Sequence, residues 1–103
     1  MNDRKLNTRL GKLRARIDQA DRDLFRALGS RFETVVKIGE LKRAHGLTAL
    51  QSARWKAVLR QRLAMARKNG LGERFVRHLL ALIHAEALRV QKSRRKIRKK
   101  RKS

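Results

Sequence analysis

The chain has 103 residues, thirty lysines and arginines against eight aspartates and glutamates, and a formal net charge of +22. That length sets one domain, and a hydrophobic content of 41% is enough for a packed core. The lack of cysteine excludes a disulfide framework and a thiolate metal site, and no apolar run is long enough to cross a bilayer.

Proline is also absent, and Val, Ile and Thr form no sustained alternation, so helices are expected and strands are not. The first helix is expected over roughly residues 4–44. Leu6, Leu10, Leu13, Ile17, Ala20, Leu24 and Leu28 fall at the spacing of a helix that packs on other helices. Val35, Val36, Ile38 and Leu41 continue the stripe on a wider face. Gly29 and Gly39 weaken this helix without stopping it. His45-Gly46 marks its end, with Gly46 as the residue just past the cap.

A second helix is expected from Leu50–Ser52 to Lys68, with Trp55, Val58, Leu59, Leu63 and Ala66 apolar and Asn69-Gly70 as its stop. A third begins near Gly72 and carries Phe75, Val76, Leu79, Leu80, Leu82, Ile83, Ala87, Leu88 and Val90. The charge is uneven. Residues 1–88 hold twenty basic and all eight acidic side chains, a net +12, and Arg89–Ser103 adds ten cations and no acid. The expected division is a helical domain over 1–91 and a basic tail over 92–103, disordered when alone. Non-specific polyanion binding by that tail is expected at low salt. It has no interleaved aromatic residue, so base stacking is not indicated.

The first helix sets a geometric problem. About forty residues at 1.5 Å rise span roughly 60 Å, whereas a compact domain of this size has a radius of gyration near 13 Å. Two shorter helices cannot cover so long a stripe, so an intertwined homodimer is expected. Met1-Asn2-Asp3-Arg4-Lys5 is not followed by an apolar segment, which points to a cytoplasmic setting.

Arg14 lies in Leu13-Arg14-x-x-Ile17-Asp18-x-x-Asp21, Arg31 ten residues after Asp21, and Lys42 in Ile38-Gly39-x-x-Lys42. Gly46, Leu50-Gln51-x-x-Arg54, Gly70-Leu71 and Ile83-His84-x-Glu86-x-x-x-x-Gln91 follow. Over about residues 6–91 this order resembles the all-helical class of chorismate mutase. The resemblance implies an all-α fold of three helices per chain in an intertwined homodimer, with no cofactor and no metal. It implies that Arg14 enters the other protomer's site, and that Arg14 and Arg31 bind the two carboxylates of chorismate. Lys42 would contact a carboxylate and the ether oxygen, and Gln91 would donate to that oxygen. Arg54 stands at a structural or substrate-side arginine, and the backbone around Gln51 would touch the substrate. Lys42, Gln91 and Arg31 would be the catalytic group.

Three features depart from the family pattern. Trp55 stands where many members have a glutamate that contacts the substrate hydroxyl. Gln51-Ser52 stands in place of an acid-Pro pair, and a small hydroxyl residue often found near Ala87 is missing. The hydroxyl side of the substrate is therefore open, and isochorismate–pyruvate lyase and a mutase for an amino-substituted chorismate are the enzymatic alternatives. A basic helical nucleic-acid-binding protein is the non-enzymatic one.

Taken singly, the same residues have plainer readings. Arg14 and Arg31 are expected as solvated helix residues, and only their joint spacing argues otherwise. Lys42 opposes a helix dipole, Gln91 is a surface amide, and Trp55 is packing. His45, His78 and His84 have no metal-site spacing. Asp18, Asp21, Glu33 and Glu40 are expected as ion-pair partners.

Overall fold

A computed structural model describes the backbone of residues 2–47 and 52–102 and the side chains of residues 2–47 and 54–93. Among the described residues there are three α-helices and no strand: α1 (Asp3–Ala44), α2 (Ser52–Lys68) and α3 (Glu73–Lys102). Three of the helix ends have a local cause. The Asn2 side chain accepts the Lys5 amide at 2.9 Å and caps α1. Two glycines in the left-handed region, Gly46 (φ 68°) and Gly70 (φ 73°), stop α1 and α2. At the first stop the Leu47 amide donates to the Lys42 carbonyl at 2.8 Å and the Gly46 amide to Arg43 at 3.2 Å. At the second, Leu71 donates to Ala66 at 2.9 Å and Gly70 to Arg67 at 3.1 Å. Both are Schellman closures, and any side chain at position 46 or 70 would be strained there.

The chain separates into two units, residues 1–33 and 34–103, with the division inside α1. In the first unit the predicted stripe is present but uncovered. Leu13, Ile17 and Leu24 are all more than half exposed, Ile17 at 59%, and neighbouring Phe25 is 69% exposed. In the second unit α2 packs on α3. Val58 and Ala66 of α2, Val76 and Ala87 of α3, and Val36 of α1 are buried. Burying a valine side chain contributes about 1.5–3 kcal/mol, and the two alanines leave room for close helix approach. This core is small. Leu41 and Leu82 in the same unit remain 62% and 69% exposed, so both units present apolar surface of the kind that marks an interaction face.

The third helix differs from expectation. Its backbone does not end near Gln91 but stays helical through the basic segment to Lys102. Lysine and arginine are good helix formers, and no glycine or proline follows Gly72 to break the run. Among the described residues no helix is long and apolar enough to cross a membrane.

Candidate active site

Within the second unit, a cleft of about 270 Å³ opens between the end of α1 and the middle of α3. Gly39, Lys42, Arg43 and Leu47 line one side, and Leu88, Gln91 and Lys92 the other. Three lining residues are cations, one is a neutral amide, and none is an acid. Leu47 and Leu88 supply apolar walls. Such a set favours a small anion with an apolar body, and among the described lining residues there is no hydroxyl, thiol or carboxylate.

Local structure explains the two central side chains. Lys42 sits in the last turn of α1, where its carbonyl accepts from Leu47, so the closure that ends the helix also fixes the Lys42 backbone. Its side chain is partly buried. Gln91 comes from α3, three residues beyond Leu88 on the same face. Its Nε2 donates to the Val35 carbonyl of α1 at 2.9 Å. The amide lies directly over Gly39, where a Cβ would fall 2.9 Å from Nε2. Lys42 and Gln91, 49 positions apart in sequence, thus meet at one cleft.

None of the other described candidate residues is among those that line the cleft. Arg14 and Arg31 belong to the first unit and are exposed. Arg54, at the start of α2, is exposed and is not among the cleft-lining residues. Gln51 falls outside the described residues. Trp55 is partly buried and stacks on His84 of α3, with ring centroids 4.4 Å apart and planes tilted by 32°. It therefore ties α2 to α3, in keeping with a packing role. The ion pairs Arg26–Asp23, Arg77–Glu73 and Arg89–Glu86 each link residues within one helix. They are exposed, of a kind worth a few tenths of a kcal/mol each. Among the described residues no group of three His, Cys, Asp or Glu side chains could hold a metal ion.

Sequence reasoning missed Arg43 and Lys92 as lining residues, and it read Gly39 as a weak point of the helix and as part of the Gly39-x-x-Lys42 motif, without its contact with Gln91. The Gly39-x-x-Lys42 spacing carried the missing signal, because residues three apart share a helix face.

The family model for chorismate mutase type II matches residues 13–92, a span that holds Arg14, Lys42 and Gln91 alike, and the chain belongs to that family. A curated relative, the 4-amino-4-deoxychorismate mutase of Streptomyces pristinaespiralis, is 34% identical over 82 residues, which is 80% of this chain and 64% of the relative. The chain thus spans less than two thirds of that relative's length. No solved structure gives a significant match.

Proposed function

We propose that the protein is a chorismate mutase, converting chorismate to prephenate in aromatic amino-acid biosynthesis. The observation that carries this reading is the meeting of Lys42 and Gln91 at a cleft whose described lining holds three cations and no acid. In the rearrangement the ether C–O bond breaks as the new C–C bond forms within one molecule, and negative charge grows on the ether oxygen. The protein has only to hold a compact conformer and to stabilise that oxygen, by positioning and preorganised electrostatics. Lys42 brings a positive charge and Gln91 a neutral N–H donor to the ether oxygen. Arg14 and Arg31 hold the two carboxylates through their planar guanidinium forks. Arg54 and the backbone at Gln51 complete the substrate side.

The assembly proposed is a homodimer in which the uncovered stripe of α1 packs on its counterpart and Arg14 reaches the partner's site. The more-than-half-exposed Leu13, Ile17 and Leu24 support it. The setting proposed is the cytoplasm.

A second substrate, 4-amino-4-deoxychorismate, is favoured by the relative that acts as its mutase and by Trp55, which is an apolar ring packed on His84. The test is to supply the purified protein separately with chorismate, 4-amino-4-deoxychorismate and isochorismate and to identify the products. Prephenate from chorismate at the highest kcat/KM supports the proposal. A higher value with the amino compound assigns the chain to that substrate, and pyruvate released from isochorismate makes it a lyase.

A neutral amide donates at any pH, so the parent enzyme should keep its rate from roughly pH 6 to 9. A glutamate in the same place donates only when protonated, and its ordinary pKa is about 4.3. Gln91→Glu is therefore expected to be nearly inactive at pH 8 and to gain rate steadily as pH falls toward about 5. A Gln91→Glu profile parallel to that of the parent would remove Gln91 from the ether oxygen.

The basic end of α3 is proposed as an electrostatic, sequence-independent polyanion contact. Its expected test is binding to a labelled DNA duplex as salt is raised. The triple variant Arg94→Glu, Arg95→Glu, Lys96→Glu should flatten the slope of log K against log salt by on the order of three while kcat on chorismate stays at the parent value.

A further inference from the structure

We propose that Gly39 is a positioning residue for Gln91: by having no side chain, it lets the Gln91 amide lie against the α1 backbone and aim one N–H into the cleft. The inference rests on the reading of Gln91 given above and deepens it.

Gln91 Nε2 donates to the Val35 carbonyl at 2.9 Å. Because that carbonyl can only accept, it settles which end of the amide faces α1: the nitrogen, not the oxygen. An amide nitrogen carries two hydrogens. With one held by Val35, the other has a fixed direction, and Gln91 lines the cleft that also holds Lys42. Gly39 lies four residues after Val35, one helical turn on, so its Cα stands beside the carbonyl that anchors the amide. A Cβ there would lie 2.9 Å from Nε2, 3.2 Å from Cδ and 3.4 Å from Cγ of Gln91. The first distance is one that a real Cβ does not keep, the second is tight, and the third is at the edge of ordinary contact. The obstructing atoms are the far end of a flexible side chain, not backbone, so an alanine at 39 would displace the amide without disturbing the helix.

The contrast with the other helical glycines sharpens the point. A Cβ at Gly11 or Gly29 meets nothing within 4 Å. Glycine inside a helix is unfavourable relative to alanine. Of the three glycines within α1, only the one beneath Gln91 has a contact that requires it.

The experiment compares Gly39→Ala, Gly29→Ala, Gln91→Ala and the double variant Gly39→Ala/Gln91→Ala. Gly39→Ala is expected to lower kcat by about tenfold to a hundredfold, part of the effect of losing a transition-state donor, with KM within about threefold and Tm unchanged or raised. Gly29→Ala should leave kcat at the parent value. The double variant should be no slower than Gln91→Ala alone, since the two changes remove one interaction. A Gly39→Ala enzyme with parental kcat, a kcat loss accompanied by a fall in Tm, or additive losses in the double variant would each overturn the proposal. A second readout is independent of turnover. In 15N-labelled protein, the Gln91 side-chain amide should show one hydrogen protected from exchange, and Gly39→Ala should abolish that protection. Parent protein that turns over none of the three substrates yet shows this protected signal would fail the functional reading and leave the positioning intact. Unprotected Gln91 hydrogens in the parent would fail the positioning whatever the activity.

Discussion

Lys42→Ala is expected to lower kcat/KM for chorismate by about three orders of magnitude, roughly 4 kcal/mol of transition-state stabilisation. The size follows from where the side chain sits. Lys42 is partly buried at the wall of a cleft whose other polar groups are Arg43, Gln91 and Lys92. A charge in a partly desolvated site acts at a lower effective dielectric than in bulk water. The charge on the ether oxygen is larger in the transition state than in bound substrate, so the loss should fall mainly on kcat, with a smaller rise in KM from the missing carboxylate contact. Stability should change little. Alanine is the best helix former, and the hydrogen bond that closes α1 at this residue uses the Lys42 backbone carbonyl, which the substitution keeps. Steady-state kinetics and a thermal melt on the same sample check both halves. A Lys42→Ala enzyme within tenfold of the parent would mean that this cleft is not where the reaction occurs.

The helices were legible in the sequence because their signals are local. Leu6 to Leu28 at three- and four-residue spacing reports one packing face, and Gly46 and Gly70 sit where the backbone must take positive φ. Half of the cleft was legible through the order Gly39-x-x-Lys42 and the late Gln91. The contact of Gln91 with the Val35 carbonyl was not, since it joins residues 56 apart and uses a backbone atom that every residue has. The end of α3 departs from the expected tail for an opposite reason. Its charge suggested a tail without structure, but residue-by-residue helix propensity is favourable for lysine and arginine, and no breaking residue intervenes before Lys102. Arg14 and Arg31 are the residues for which a single chain says least. Both are exposed, as solvated helix residues would be, and as substrate-binding residues would be if their site is completed by a second copy.

That last ambiguity has a decisive experiment in mixed dimers. Arg14→Ala and Lys42→Ala are each expected to be nearly inactive as pure proteins. Unfolded together, refolded at equal amounts and assayed, they are expected to recover about one quarter of parental activity. The arithmetic follows from two-fold symmetry. Random pairing makes about half of the dimers heterodimers. If Arg14 serves the partner's site, each heterodimer has one site with both lesions and one with neither, so half of its sites work. If Arg14 serves the site of its own chain, each protomer of the heterodimer keeps its own lesion and no activity returns. The two geometries thus differ by an all-or-none recovery, which does not depend on the absolute rate of either variant. Recovery near one quarter would also establish the dimer that the exposed Leu13, Ile17 and Leu24 suggest, because the complementation requires two chains in one functional site. No recovery, with sedimentation showing that dimers had re-formed, would place Arg14 outside the partner's site and return it to the many solvated cations of this chain.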